Sequence, residues 1–299
     1  MRSKTVLVDG LVLLKIIKHC QDEIIQPNDV VSGVLLGLIA NETLEVTHCF
    51  PNIPIPEDAE NGTSTYDASI YPTKMIRQLR EVNVDYLEIG FYQSSNSGDF
   101  INKITLENLS QYHNLLDDSI MLVYDPTKAA RGKISLKAFQ LTNEVKEILS
   151  QINFDDTSNA TAQQKLKSIN CANMWSEVPV VIRNSHLVNC LVGTLNETNK
   201  TNIQSYKSLD TGNGSCLMDS IKTITEDLDT FCQHVQSHLV YKKMMGRTNN
   251  KTIPILPDTL DTTLLNAEIM QSCQDQLEFC GETFAKLKLI QGLHKDMDN

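Results

Sequence analysis

Between Val30 and Ile39 the chain reads VVSGVLLGLI, an apolar run with no polar residue at every second place. A strand with one wet face alternates; one that does not must be covered on both sides. After the polar step Asn41-Glu42-Thr43 a second apolar stretch, Leu44 to Phe50, follows, so the two read as a hairpin buried in the middle of a sheet.

Cover for that sheet is written into the neighbouring segments. Val6 to Val8 is a short β-branched run, Asp9 can cap the next helix, and Leu11, Leu14, Ile17 and Lys18 recur at helical spacing through His19. Pro51 to Ser69 is rich in Pro, Asn, Gly, Asp and Ser and reads as a loop; Ile70 to Val82 then predicts a helix with Met75, Ile76 and Leu79 inward. Val84 to Gln93 reads as strand, Ser94 to Asp99 as turn, and Leu106 to Leu116 as helix. Ile120 to Tyr124 and Leu136 to Leu141 read as strands, with Asp125-Pro126 stopping the first. Strands interleaved with helices imply an α/β (α+β) domain, a helix-covered sheet over residues 1–150.

Beyond Ser150 the character changes. Residues 151–215 read as a connecting segment, with one apolar stretch at Pro179 to Ile182, a short helix from Ser185 to Leu195 and an Asn, Thr, Ser and Gly-rich linker at 196–215. Residues 216–299 predict an all-α C-terminal extension of two long amphipathic helices separated by Pro254 and Pro257. One carries Leu217, Ile221, Ile224, Leu228, Phe231 and Val235 at alternating steps of four and three, and the other carries Met270, Cys273, Leu277, Cys280, Phe284 and Leu287. Such a stripe is the seam of a helical bundle or coiled coil. The plainer reading packs the two helices only on each other or on the first domain; the sharper one has them join a bundle with other chains, through Leu228, Phe231, Leu277 and Phe284.

Charge and composition exclude several classes. With 26 basic and 37 acidic residues the net charge is -11, so the average field repels nucleic-acid phosphates and anionic lipid heads. Met1-Arg2-Ser3-Lys4 leads only into short apolar runs broken by Asp9-Gly10, and no run nears the roughly 20 residues that span a bilayer. The 8 cysteines lack close pairing, which suits free, mostly buried thiols in a reducing, cytoplasmic setting, and the Asn-x-Ser/Thr triplets are then compositional.

Catalytic constellations are hard to find. Gly33 and Gly37 lie inside an apolar strand and Gly212 and Gly214 in a polar linker, so no nucleotide loop is expected. Cys232, His234 and His238 share a helix, and histidines at i and i+4 can chelate a metal, but surface histidines on an amphipathic helix are the commoner explanation. Cys273 and Cys280 sit in an apolar stripe, where packing is the expected role.

Taken in order, Val8-Asp9-Gly10-Leu11 through Lys18-His19, Gly33-Val34-Leu35-Leu36-Gly37-Leu38 and Gly90-Phe91-Tyr92-Gln93-Ser94 resemble the MPN domain, the fold of zinc-dependent deubiquitinases and their inactive relatives. Tyr124-Asp125-Pro126, Gly132, Ser135-Leu136-Lys137-Ala138, Leu141-Thr142, Glu177-Val178-Pro179-Val180-Val181-Ile182 and Asn184-Ser185-His186-Leu187 narrow it. Over residues 5–195 the chain resembles the family of MPN-type, h-type components of eukaryotic translation initiation factor 3.

Active MPN enzymes hold zinc with an H-x-H pair and an aspartate, leaving a position for a water whose pKa falls towards about 7 and whose proton goes to a glutamate. The resemblance lays the glutamate on Gly33, the histidines on Gln93 and Ser95, the oxyanion-stabilising serine on Lys103 and the aspartate on Leu106. A neutral amide oxygen beside a serine and a leucine cannot compete for zinc, and an ammonium opposes it. The resemblance thus implies a subunit without catalysis, metal or cofactor.

It also implies pairing with a second MPN protein, the f-type component of the same factor, through helices flanking the dead site (Leu11 to Cys20 and Ile70 to Val82). The C-terminal helices would join other components of initiation factor 3, and the whole would attach to the small ribosomal subunit. The alternatives are an inactive MPN component of the proteasome lid or signalosome, and a metal-dependent deubiquitinase.

Overall fold

The computed structural model describes residues 5–23, 30–40, 42–52, 63–95, 100–130, 133–150, 174–199, 214–245 and 259–297. Strands β1 (Thr5–Asp9), β2 (Ser32–Ala40), β3 (Thr43–Pro51), β4 (Glu88–Ser94), β5 (Ile120–Asp125), β6 (Ser135–Leu141), β7 (Trp175–Val178) and β8 (Val180–Arg183) form an 8-stranded sheet. Its order is β7-β6-β5-β4-β2-β3-β1-β8. The helices are α1 (Gly10–Glu23), α2 (Thr63–Glu81), α3 (Lys103–Leu115), α4 (Pro126–Ala130), α5 (Asn143–Ser150), α6 (His186–Asn199), α7 (Gly214–Met245) and α8 (Thr259–Met297).

The sheet is mixed. β1 runs parallel to β3 and β8, and β4 parallel to β5, while β2 is antiparallel to both β3 and β4. Parallel neighbours need crossovers, and the helices between strands supply them. The run that opens at Val30 becomes β2 at the centre, buried on both faces from Gly33 to Gly37, while Val30, Leu38 and Ile39, expected to be covered too, are exposed at its ends. Leu35 joins Val6, Val8, Val12, Ile16, Ile89 and Tyr92 on the α1 side. Val34, Leu36 and Phe50 meet Tyr71, Met75, Ile76 and Leu79 of α2 on the other.

Contacts divide the chain into two compact units: Met1–Asn96, Asn108–Gln140 and Trp175–Asn202 in the first, Ser97–Glu107, Leu141–Met174 and Ile203–Asn299 in the second. The first holds most of the sheet. The sheet draws both edge strands from residues 175–183, because Val6, Val8 and Asp9 of β1 pair with Val180, Ile182 and Arg183. Those four-residue strands are too short to carry a period, and in the sequence only Pro179 to Ile182 stands out as apolar.

Other differences also have local causes. The segment 63–69, expected as loop from its Ser, Thr and Asp content, is helical backbone, and α2 carries Pro72 inside it. Its end is an αL cap: Asn83 has φ 60°, and Val84 N–H bonds the Leu79 carbonyl at 3.0 Å. The strand expected from Val84 starts only at Glu88, since Thr47 Oγ1 donates to Asp85 at 2.7 Å and Gly37 N–H to the Leu87 carbonyl. Asp125-Pro126 ends β5 as expected and also opens α4: Asp125 Oδ1 accepts from the N–H groups of Thr127 and Lys128 at 2.9 and 3.1 Å, with Pro126 at the first helical position. Lys128 Nζ adds an ion pair to the same carboxylate at 3.5 Å.

The connection at 151–170, the core of the linker at 196–215 and Pro254 and Pro257 lie outside the described residues. Among the described residues no helix is long and apolar enough to cross a membrane.

Candidate functional site

Gly33 and Tyr92 are opposite partners across β2 and β4. A Cβ at Gly33 would collide with the Cζ and hydroxyl of Tyr92 and with the Phe50 carbonyl oxygen. Glycine here has a steric cause: the Tyr92 ring lies over the position, and no carboxylate side chain fits while it does. The Tyr92 hydroxyl sits 2.8 Å from His19 Nδ1 on α1. Burial lowers the His19 pKa against the opposing fields of Glu23 and Asp22, and burial pushes the Tyr92 phenol far above its ordinary range. A neutral imidazole therefore accepts from a phenol that stays protonated.

Gln93, Ser94 and Ser95 close β4, all buried. Ser94 is tied twice to Val31: its N–H donates to the Val31 carbonyl, and its hydroxyl accepts from Val31 N–H, both at 2.8 Å. Ser95 N–H donates to the Tyr124 carbonyl at 2.9 Å, and among the described residues its buried hydroxyl oxygen has no hydrogen-bond partner. In the second unit, Lys103 opens α3 half-buried and Leu106 is fully buried. Among the described residues no group of three or more His, Cys, Asp or Glu is placed to hold a metal ion.

Surface features are more distinctive. On α1, Val12, Leu13, Ile16 and Cys20 are buried, while Leu11 and Leu14 face out. Helix α6 has little cover from the described residues: Leu187 is 84% exposed, and Leu191, Val192 and Leu195 are exposed as well. Sequence reasoning places this helix but does not single it out as a surface, although an apolar composition all round it (HLVNCLVGTL) is the available signal. The outward face of α2 is different in kind. Its apolar residues go to the sheet, leaving Lys74, Arg77 and Arg80 outside, with Arg77 paired to Glu81 at 3.6 Å and Arg80 over the Tyr86 ring at 4.9 Å.

In the second unit α7 and α8 pack on each other. His238 Nε2 lies 3.3 Å from Thr262 Oγ1, which fixes the face of α7 turned to α8. Phe231, one heptad earlier, shares that face and is half-buried. Leu228, Ile221 and Met218 face outward. On α8 the inward residues are Leu260, Leu264, Ala267, Ile269, Ser272 and Asp275. The expected stripe faces largely outward, with Leu277 74% and Phe284 67% exposed.

Of the two readings the sequence leaves open for the α8 stripe, neither is decided by this: the helix buries a different, partly polar face. The expectation of mostly buried thiols is corrected. Cys20 and Cys49 are buried, but Cys190, Cys232, Cys273 and Cys280 are exposed. Helical spacing identifies a face; it does not say which of two faces the chain itself will cover.

Residues 1–118 match the family described as JAB1/Mov34/MPN/PAD-1 ubiquitin protease, and residues 129–252 match the C-terminal region of eIF3h. The H-B subunit of eukaryotic translation initiation factor 3 from Danio rerio is 31% identical over 97% of this chain and 93% of its own. The H-A subunit from the same organism is 32% identical over 98% and 94%, and the H subunit from Xenopus laevis 36% identical over 82% and 70%. With an MPN-type mixed sheet, a helical C-terminal extension and likeness to these relatives along nearly its whole length, the chain belongs to the eIF3h family of eukaryotic translation initiation factor 3.

Proposed function

We propose that the chain is a non-catalytic architectural subunit of translation initiation factor 3, working in the cytoplasm, with one docking surface on each of its two units. The observation that carries this is the similarity to named factor 3 proteins through almost the entire chain. Apolar helix faces left open by the described residues support it.

Gly33, Gln93, Ser95, Lys103 and Leu106 stand where an active relative keeps its glutamate, histidines, serine and aspartate. None of them is a carboxylate or an imidazole. Gly33 also has no room for a side chain beside Tyr92. On this reading the domain keeps the sheet for its surfaces, and no zinc, cofactor or peptide-bond chemistry is involved.

In the first unit the pairing surface for a second MPN protein, the f-type component of factor 3, is built on Leu11 and Leu14 of α1 and on Leu187, Leu191 and Leu195 of α6. Burying a leucine side chain is worth about 1.5–3 kcal/mol, so the set together can offset much of the cost of association, about 4–15 kcal/mol. In the second unit Leu277 and Phe284 of α8, with Leu228 of α7, receive helices of other factor 3 components. Phe231 serves the α7–α8 contact instead. The small ribosomal subunit is reached through the assembled factor, consistent with a net charge of -11 on this chain.

The test is to tag the chain in its own cells, purify it gently and identify what accompanies it by mass spectrometry. Factor 3 components and small-subunit ribosomal proteins are the expected result; lid or signalosome proteins would overturn the assignment. Metal analysis of the same preparation should give background zinc, and a full equivalent would overturn the non-catalytic reading.

A further inference from the structure

Strands β7 and β8 stand at the two ends of the sheet, yet they are two four-residue pieces of one stretch, with Pro179 alone between them. A single segment thus borders β6 on one side and β1 on the other. Its hold is light. Val178 is buried in the core with Val6, Tyr124 and Ala138, and Val180 packs against that cluster, while Glu177, Pro179, Val181, Ile182 and Arg183 are exposed. Val6 N–H donates to the Pro179 carbonyl at 3.0 Å, and Arg183 Nη1 lies 3.5 Å from Glu45 Oε1 in the open, where an ion pair contributes little.

The helix after β8 bears on this hold. β1 and β8 are parallel, and Asp9 and Arg183, their last residues, are register partners. Each strand then leads into a helix at the same end: α1 begins at Gly10 and α6 at His186. The two starts touch, because the Asn184 side chain fills the place where a Gly10 Cβ would stand. A partner that grips Leu11 and Leu14 of α1 together with Leu187 and Leu191 of α6 therefore staples β8 to β1.

We infer that residues 175–183 are a latch on the sheet, worked from α6: the segment opens and closes readily in the free chain and is held shut when a partner takes α1 and α6 together. The inference rests on the docking surface assigned above to those two helices. It adds that docking there is felt at β7, at the other end of the strand order. A segment with few buried side chains is the first to open locally. Fixing its α6 end removes the open states from the ensemble. Pro179 carries the effect across: its ring locks φ, so β7 and β8 move as one piece.

The experiment is hydrogen exchange read by mass spectrometry on the full chain, free and joined to a factor 3 preparation reconstituted without it. In the free chain, peptides over 175–183 should exchange at least about tenfold faster than those over β4 and β5, and on joining both halves of the segment should slow by at least about tenfold. Pro179→Gly, at an exposed position, keeps the carbonyl that Val6 uses and touches no docking residue. Once joined, this variant should keep the slowing at 180–183 and lose at least about half of it at 175–178. Slowing confined to 180–183 in the wild type means plain cover by the partner and overturns the latch. So does a segment as slow as β4 in the free chain, or a Pro179→Gly variant that slows at 175–178 as the wild type does; in each of these cases the docking surface stands. A wild type that fails to join, or that joins with α1 and α6 exchanging as in the free chain, overturns the docking surface, and the latch with it.

Discussion

The Tyr92 hydroxyl reaches His19 Nδ1 at 2.8 Å with the two rings nearly perpendicular, at 86°. This contact ties the strand that carries Gln93 to the helix that follows β1, and burial favours the neutral imidazole in it. Burial holds the His19 pKa below its ordinary 6.5, and burial, aided by Lys15, does the same for His48. The unfolded chain takes up these protons at the ordinary value and the folded chain resists them. Stability is therefore full above that value, is lost as pH falls through it, and levels off beneath the lowered folded values. Urea midpoints measured between about pH 8 and about pH 5 should fall accordingly, and His19→Gln, which keeps an acceptor without a proton to bind, should flatten the dependence. An unchanged slope in that variant would remove His19 from the account.

Asn184 and Gly10 form a second coupled pair. A Cβ on Gly10 would strike the side-chain oxygen of Asn184 and stand 3.0 Å from its Cγ, and each of the three nearest atoms belongs to that one side chain. Gly10→Ala alone should cost about 1–3 kcal/mol of overpacking. In the Asn184→Ala background it should cost little or even stabilise, since alanine suits a helix better than glycine. A double-mutant cycle with no coupling would mean that α1 moves aside on its own.

At Gly33 the obstruction is harder to relieve, because one of its near atoms is the backbone oxygen of Phe50. Gly33→Ala should destabilise the sheet by about 1–3 kcal/mol, and trimming Tyr92 should rescue only part of it. Denaturant curves of the single and double variants decide this, full rescue being the adverse outcome.

Much of the fold is legible in the sequence, and the boundary is instructive. The double burial of Val34, Leu35 and Leu36 is written in a run without alternation. The inward set Met75, Ile76 and Leu79 is written in helical spacing. What stays hidden depends on contacts distant in sequence. Four residues, Val180 to Arg183, make an edge strand only because β1 is there to pair with them. The 3.5-residue stripe of α8 is plain, yet its direction is not, since α8 buries Leu260, Leu264, Ala267 and Ile269 with Ser272 and Asp275 and leaves Leu277 and Phe284 outside. For the degenerate site, motif order suggests the positions, but the reason Gly33 must be glycine lies in Tyr92, across the sheet.

That outward direction separates stability from assembly. Leu277→Asp with Phe284→Asp should change unfolding free energy by no more than about 0.5 kcal/mol, as for other exposed sites, while abolishing incorporation into factor 3. Leu264→Ala, inside the same helix but buried, should do the reverse in kind and cost about 2–5 kcal/mol. Calorimetry and co-purification on the same preparations check both; a large loss of stability in the aspartate variant would mean that the stripe is covered within the chain.

Strand β1 lies between β3, which follows it closely in the chain, and β8, which arrives only after Val178. Val6 thus waits for Val180 while more than half of the chain is synthesised. Loop closures over such separations are slow. Until residues 175–183 arrive, a nascent chain leaves both β1 and β6 without their outer neighbours, and the core without Val178 and Val180. Unpaired strand edges of that kind invite wrong pairing, so the order of synthesis, and not only the final stability, bears on how safely this sheet forms.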